Sequence, residues 1–235
     1  MKKLKLLYEG KAKKLYETDD PNLVIQEFKD DATAFDATKR GVIKNKGACN
    51  NRISSELFKI LESKGVETHF VKFLNDQEML VKKLTILPIE VTIRNIVAGG
   101  MAKMLGIEEG EQLKMPVLEY HYKSDVLHDP LINEYHIKAL EIAKESELQT
   151  IDKRSFEINK ILGKFFDSIG LILVDFKLEF GTHKGKILLG DEISPDTCRL
   201  WDKSTREKLD KDRFRRDLGS VEEAYQEVLR RILKQ

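Results

Sequence analysis

Four charged residues between positions 171 and 199 carry the most pointed chemistry in this sequence. Asp175, Lys177 and Glu179 alternate with Phe176, Leu178 and Phe180, and Asp191 follows the run Ile187-Leu188-Leu189-Gly190. Side chains alternate between the faces of a strand, so the three charges share one face and the three apolar residues the other. Two strands joined by a polar turn are predicted here. Mg²⁺ is commonly held by one or two carboxylates plus substrate phosphates, and a nearby lysine neutralises phosphate charge. Glu179 and Asp191 are the candidate metal ligands. A solvated outer face is the plainer alternative for charges on a half-exposed strand. The metal reading has a geometric condition. In an antiparallel pair Glu179 and Asp191 share a face only if opposing residue numbers sum to an even value, as with 177 opposite 191. Gly190 leaves room for something to approach the backbone.

The rest of the chain must position that hairpin. Leu4–Tyr8, Lys13–Glu17 and Leu23–Phe28 read as short strands, separated by the turn-like Glu9-Gly10-Lys11-Ala12 and Asp19-Asp20-Pro21-Asn22. The first turn is basic but is neither a Walker A loop nor a kinase glycine-rich loop; a solvated turn and a phosphate grip both fit it. Residues 30–46 read as irregular. A helix over 48–64 is predicted from the stripe Ile53, Leu57, Ile60 and Leu61, with Gly65 ending it. Strands follow at 67–73 and 78–83, where Lys82 is either a phosphate ligand or a snorkelling edge lysine.

Beyond Pro88, Ile89, Val91 and Ile93 alternate with Glu90, Thr92 and Arg94, and Gly99-Gly100 then lead into a short helix-like stretch, 101–105. Arginine, paired glycines and a helix start make an anion site. The dipole gives only about 0.3–1 kcal/mol when exposed, so the Arg94 fork supplies most of the grip. Residues 106–135 are the least regular and read as a binding loop. His121, His128 and Asp129 match no standard metal spacing and suggest loop anchoring. A long helix over 151–169 carries Ile158, Ile161, Leu162, Phe165, Phe166 and Ile169 on one face and ends at Gly170. The mixed charges of 210–217 read as a solvated surface. Ser220 with Glu223 forms a capping box for a last helix whose stripe is Val221, Tyr225, Val228 and Ile232.

Composition narrows the class of protein. The 235 residues suit one large domain or two small lobes. Basic and acidic residues number 41 and 40, which argues against a general nucleic-acid or membrane-surface binder. No apolar run approaches the roughly 18 residues of a membrane span, and Met1–Gly10 has too short an apolar stretch for a signal peptide. Cys49 and Cys198 form no ligand pattern and read as free thiols in a reducing cytoplasm. An exposed apolar strand edge would let subunits pair, so a homo-oligomer is one expectation.

Taken together, these stretches resemble the SAICAR synthetases, the phosphoribosylaminoimidazole-succinocarboxamide synthases of purine biosynthesis. The resemblance covers nearly the whole chain. It rests on Tyr8-Glu9-Gly10-Lys11-Ala12-Lys13, Val81-Lys82-Lys83, the run Leu87–Arg94 with Ala98-Gly99, His128-Asp129-Pro130, the run Leu173–Gly181, the run Gly190–Asp196 and Asp210–Arg215. Where the family usually has Ala-Gly-Ser, this chain has Ala98-Gly99-Gly100. A backbone amide or water would have to replace the serine hydroxyl, which looks like a substrate-phosphate contact in the family.

The resemblance implies an α+β enzyme of two lobes, related to ATP-grasp and kinase-like architectures. An antiparallel N-terminal lobe would cover 1–84 and a larger α+β lobe 85–235, with a nucleotide cleft between them. The reaction would join the carboxylate of carboxyaminoimidazole ribotide (CAIR) to the amine of L-aspartate, driven by ATP. Lys11, Ala12 and Lys13 of the basic turn, with Lys82, would hold ATP phosphates, and Leu84 would edge the adenine. Glu179 and Asp191 would bind Mg²⁺. Lys177 would neutralise charge at the transfer point, with Asp175 and Asp196 lining the cleft and Asp196 orienting Arg199 or a metal-bound water. Arg94, Gly99, Gly100 and Arg199 would hold the ribotide phosphate, and Lys123, Lys211 or Arg215 the carboxylates of aspartate. Two alternatives are a kinase-like phosphotransferase acting on a small alcohol and a non-catalytic nucleotide-binding scaffold. Aspartate-dependent ADP release separates the first from the ligase.

Overall fold

The computed structural model describes residues 1–34 and 38–234. Three strands open the chain where alternation predicts them: β1 (Lys3–Glu9), β2 (Lys13–Thr18) and β3 (Leu23–Phe28). The region read as irregular holds a short hairpin instead, β4 (Asp31–Ala34) and β5 (Lys39–Val42). Strands this short show no period in sequence. The part of that reading on 35–37 lies outside the described residues. Next come α1 (Lys46–Ser63), β6 (Phe70–Asn75) and β7 (Glu78–Lys82). The first sheet runs β1-β2-β3-β7-β6, every pair antiparallel. Its edge strand β1 leaves Leu4, Leu6 and Leu7 exposed. Helix α1 buries Ile53, Leu57 and Leu61 as its stripe requires, and Gly65 takes the left-handed conformation (φ +89°) that releases the chain.

The rest of the chain comprises β8 (Thr85–Ile96), α2 (Gly99–Leu105), β9 (Gln112–Tyr122), β10 (Leu131–Ile132), α3 (Glu134–Ala139), α4 (Glu145–Ser168), β11 (Leu171–His183), β12 (Lys186–Leu189), β13 (Cys198–Asp202), the single turn α5 (Asp212–Arg215) and α6 (Val221–Leu233). Strand β9 corrects the expectation of an irregular 106–135. Pro116 and a mixed, half-exposed pattern hide it, yet it pairs with β8 along most of its length. Helix α4 begins earlier than 151 and buries Ile151, Ile158, Leu162 and Phe166. Each fully buried side chain of this kind contributes about 1.5–3 kcal/mol, against roughly 0–1 kcal/mol for a surface ion pair. The apolar stripe therefore places the helix. Ser220 does not close a capping box: its φ of +47° turns Oγ away and it makes no side-chain cap bond.

Strand β11 is the axis of the second sheet, β10-β9-β8-β11-β12. One of its edges pairs with β8; the other pairs with β13 over 171–176 and then with β12 over 180–183. The segment 190–197 leaves that second edge and rejoins it, tied by Gly190 N–H to Glu179 O at 2.9 Å and Lys177 N–H to Thr197 O at 2.9 Å. Phe176, Leu178 and Phe180 point into the core as predicted, and one apolar cluster joins them to Phe28 and Met79 of the first sheet and to α1, α4 and α6. A parallel bridge between Thr68 and Leu189 and the bond from His69 N–H to Leu189 O (2.8 Å) fasten the sheets together. No helix among the described residues is long and apolar enough to cross a membrane.

Candidate active site

A cavity of about 830 Å³ opens between the two sheets. The first sheet contributes the turn Gly10–Lys13, Val24, Gln26 and Lys82; the second contributes Glu90, Thr92 and Arg94 from β8 and Asp175, Lys177 and Glu179 from β11. Asp191, Glu192 and Asp196 of the 190–197 segment, Arg199, Lys211, Arg215 and the 123–129 loop complete its wall. Every predicted site residue except Gly99 and Gly100 lines it.

At one end carboxylates and ammonium groups alternate. Lys177 Nζ lies 2.6 Å from Glu179, 2.8 Å from Glu90 and 3.7 Å from Asp191. Lys123 reaches Glu179 at 2.7 Å, and Lys13 bonds Asp191 and stands 2.9 Å from Glu192. The condition set for Glu179 and Asp191 is not met in its original form. The β11–β12 register pairs 180 with 189 and 181 with 188, an odd sum, which would put the two carboxylates on opposite faces. Asp191 does not belong to the ladder, however. Strand β12 stops at Leu189, and Asp191 adopts φ +59°, which turns its side chain back toward Lys177. Gly190 does accommodate a close approach, by Leu84: a Cβ there would lie 2.8 Å from Leu84 Cδ1.

Burial opposes every charge in this cluster, and the partners overrule it. Lys13 is held above its ordinary pKa because Asp191 and Glu192 outweigh its desolvation. Lys177 is likewise held well above its ordinary pKa against its burial, by Glu179, Asp191 and Glu90. Burial and mutual repulsion would raise the carboxylates, but Lys177 and Lys123 hold Glu179 below its usual range, and Lys13 and Lys177 do the same for Asp191. The two acids are ionised neighbours facing a cavity, a donor set that fits a Mg²⁺ ion sharing its remaining positions with phosphate and water.

At the other end two guanidinium groups converge. Arg94 bonds Glu119 and Asp175, each at 2.7 Å; Arg199 bonds Asp175 at 2.8 Å and Asp212 at 3.0 Å. Asp175 is thus the hinge of the pair. Of the two jobs expected of Asp196, orienting Arg199 or a metal-bound water, the first is thereby corrected. Both oxygens of Asp196 are taken elsewhere, by Lys46 Nζ (2.7 Å) and the Tyr225 hydroxyl (2.6 Å). Gly99, at φ +56°, lies so close to Arg199 that a Cβ would sit 2.4 Å from Nη2; at Gly100 the nearest group is Arg94, 4.0 Å away. The glycine pair therefore adjoins both guanidinium groups. Around α5 the charges read as a solvated surface are partly buried: Asp210 is fully covered and Asp212 nearly so. Asp212 bonds Arg215 at 2.6 Å within its own turn and Arg199 of β13 at 3.0 Å.

The remaining predicted residues are present but engaged. Lys11 bonds Asp125 at 2.6 Å, and Lys82 donates to Thr68 O at 2.9 Å. Ala12 O accepts from Lys29 N–H at 2.8 Å, and Gly10 N–H closes the turn on Lys13 O at 2.8 Å. Asp129 anchors its loop, accepting from Ser124 N–H at 2.8 Å, while its carbonyl meets His121 Nδ1 at 2.9 Å. Glu90 and Glu119 carry no role in the sequence reading, although Glu90 shares a predicted face with Arg94. Lys46 and Tyr225 leave no signal of a charge network at all; Tyr225 reads as core.

Comparisons with known proteins show the family. The family model for SAICAR synthetase matches residues 6–232. The phosphoribosylaminoimidazole-succinocarboxamide synthase of Caldanaerobacter subterraneus subsp. tengcongensis is 61% identical over 232 residues, 99% of each chain. The crystal structure of the corresponding synthase from Ehrlichia chaffeensis superposes with a TM-score of 0.95 at 49% identity, covering 97% of this chain and 98% of that one. A SAICAR synthetase solved in complex with ADP superposes with a TM-score of 0.94 at 49% identity, covering 98% of both chains. A match of this extent over an α+β chain with antiparallel sheets settles the relationship: the chain belongs to the SAICAR synthetase family.

Proposed function

We propose that this protein is the ATP-dependent ligase that joins the carboxylate of CAIR to the amine of L-aspartate, giving SAICAR, ADP and phosphate in purine biosynthesis. One observation carries the reading. A single cavity holds a lysine–carboxylate cluster at one end and the Arg94–Arg199 pair at the other, so a triphosphate and a phosphorylated ribotide can meet within it. The ADP bound to a relative supports ATP as the nucleotide. A small-alcohol phosphotransferase is not favoured, because the relatives are named as synthases.

A carboxylate does not react with an amine at a useful rate, because oxide would have to leave. Phosphorylating it creates an acyl phosphate whose leaving group is inorganic phosphate. That transfer needs alignment and charge neutralisation more than a covalent enzyme group. In this reading Lys13 and the backbone of the 10–13 turn, with Lys11, Ala12 and Lys82, receive the nucleotide phosphates, and Leu84 edges the adenine. Glu179 and Asp191 would hold Mg²⁺, which supplies positive charge to the transferring phosphates. Lys177 neutralises the transfer point. Arg94 and Arg199, set by Asp175, take the ribotide phosphate beside Gly99 and Gly100. Lys123, Lys211 and Arg215 face the space left for L-aspartate. The first sheet with α1, residues 1–84, would act as one lobe and 85–235 as the other, closing on the nucleotide as kinase-like and ATP-grasp enzymes do. A cytoplasmic location suits two buried free cysteines.

ADP release tests this reading, measured with ATP, Mg²⁺ and CAIR in the presence and absence of L-aspartate, with the product identified by mass. Aspartate-dependent ADP release and a succinocarboxamide product are expected. ADP release that ignores aspartate and leaves a stable phosphoester would overturn the ligase reading.

A further inference from the structure

Glu192 is a buried carboxylate to which the ligase reading gives no role. It sits on the 190–197 segment, is 2% exposed and lines the cavity wall. Its Oε1 lies 2.9 Å from Lys13 Nζ, and its Oε2 accepts from the Ser194 hydroxyl at 2.5 Å. Ser194 is buried and fixed in turn: its N–H donates to Thr197 Oγ1 at 3.1 Å, and its Oγ accepts from Asp196 N–H at 3.1 Å. Lys13 comes from β2 in the first sheet, so the Lys13–Glu192 pair ties that sheet to the 190–197 segment. Lys13 thus has two carboxylates, Asp191 and Glu192. Asp191 belongs to the pair that fits Mg²⁺. Glu192 turns its oxygens to Lys13 and Ser194 instead. Lys177 repeats the arrangement: it bonds Glu179, of the same Mg²⁺ pair, at 2.6 Å and Glu90, outside that pair, at 2.8 Å.

We propose that Glu192 is a positioning residue that keeps the Lys13 ammonium on the nucleotide phosphates while Asp191 is engaged by Mg²⁺. The assignment deepens the ligase reading and rests on it. A lysine ammonium is a point charge on a flexible four-carbon stem, so its partners set its place. A carboxylate that shares an oxygen with a divalent cation has less charge left for an ammonium, and the two cations repel each other. Held by Asp191 alone, Lys13 would be loosened as the metal–nucleotide complex forms. Glu192 supplies a second counter-charge that is buried and fastened on its other oxygen by Ser194. The sign of the effect separates this role from simple electrostatics. A negative charge beside a phosphate site weakens anion binding, so removing it would tighten ADP if Glu192 acted only as a charge. Removing a group that positions Lys13 weakens ADP instead.

Calorimetric titration with ADP tests the assignment, in Mg²⁺ and in EDTA, on wild type, Glu192→Gln, Lys13→Met and the double variant. Glu192→Gln keeps the side-chain shape. It is expected to bind ADP at least about 10-fold more weakly in Mg²⁺ and within about twofold of wild type in EDTA, where Asp191 still holds Lys13. In the Lys13→Met background the same substitution should add nothing in Mg²⁺, because its effect passes through Lys13. In turnover, KM for ATP should rise while KM for CAIR and for L-aspartate stay near wild type. Ser194→Ala keeps the charge and removes its anchor; it should show the same Mg²⁺-dependent loss in smaller measure, and it carries the test if Glu192→Gln does not fold. Tighter ADP binding by Glu192→Gln would overturn the positioning role. So would an equal loss in Mg²⁺ and EDTA, or an undiminished loss in the Lys13→Met background. A wild-type protein that does not bind ADP would overturn the nucleotide reading itself, and this assignment with it.

Discussion

Glu179 and Asp191 stand on either side of one ammonium, that of Lys177, at 2.6 and 3.7 Å. The ladder between their strands has the register that would separate them. What unites them is the end of β12 at Leu189 and the left-handed backbone of Asp191. A carboxylate placed by a turn outside the ladder is free of the period-2 rule.

Removing one of these carboxylates should therefore affect catalysis more than folding. Glu179→Gln keeps the shape of the side chain but leaves Lys177 and Lys123 short of a counter-charge. Turnover is expected to fall at least about 10²-fold, the loss typical of one preorganised charge-stabilising group, with the fold retained. ADP release titrated with Mg²⁺ checks it. Near-normal turnover at saturating Mg²⁺ would remove Glu179 from the mechanism.

Gly99 makes a different kind of prediction. Its φ of +56° strains any residue with a Cβ, and that Cβ would lie 2.4 Å from Arg199 Nη2. A flexible arginine end would normally yield, but this one is pinned by Asp175 and Asp212. Gly99→Ala should thus cost about 1–3 kcal/mol from the backbone conformation and also displace Arg199. The expected kinetic signature is a raised KM for the ribotide with KM for ATP little changed. A denaturant titration and the two KM values decide; an unchanged ribotide KM would mean that Arg199 does not hold the substrate phosphate.

Much of the scaffold was legible because its strands alternate cleanly. β8 turns Ile89, Val91 and Ile93 inward and β11 turns Phe176, Leu178 and Phe180 inward, and that period shows in sequence. The hairpin β4–β5 is too brief to show one, and β9 carries Pro116 with both faces half exposed. Among site residues, those on alternating strands were placed on the right face: Asp175, Lys177, Glu179 and Arg94. The misreadings come from burial and partners that a local charge pattern does not show. Asp210 and Asp212 looked solvated because the run does not reveal that β13, with Leu200 and Arg199, folds against it, and Asp196 was offered to Arg199 or a metal-bound water because Lys46 and Tyr225 lie 150 residues before it and 29 after it.

The Lys46–Asp196 pair shows what such hidden partners are worth. Both residues are buried, and Asp196 is held below its usual pKa although burial opposes this, because Lys211 and Lys46 attract its charge. Lys46→Met strands a buried carboxylate and should destabilise the fold by about 3–5 kcal/mol. Adding Asp196→Asn should recover part of that loss. A depressed acid contributes stability above the ordinary carboxylate range and loses it as pH falls through its folded value, so the wild-type advantage over the double variant should shrink in acid. Chemical unfolding of the three proteins provides the check, and equal stability of Lys46→Met and wild type would show that Asp196 does not depend on Lys46.

Asp210 has the opposite sign. It is fully buried, and desolvation together with the neighbouring Asp212 pushes its carboxyl from 3.8 up to about 7, against the backbone N–H bonds it accepts from Leu200 (2.9 Å) and Asp212 (2.7 Å). Between those two values the unfolded chain has released this proton while the folded protein still holds it. The native state then binds more protons than the unfolded state, so stability must fall as pH rises through the window, by on the order of 1 kcal/mol per pH unit from this group. Asp210→Asn cannot titrate. It loses one acceptor and starts less stable, but its own profile lacks this slope. Urea unfolding of both proteins from about pH 4.5 to about 7.5 should therefore show the wild-type advantage shrinking toward the alkaline end. Parallel profiles would mean that Asp210 is ionised throughout and that Arg199, together with the two backbone donors, outweighs its burial.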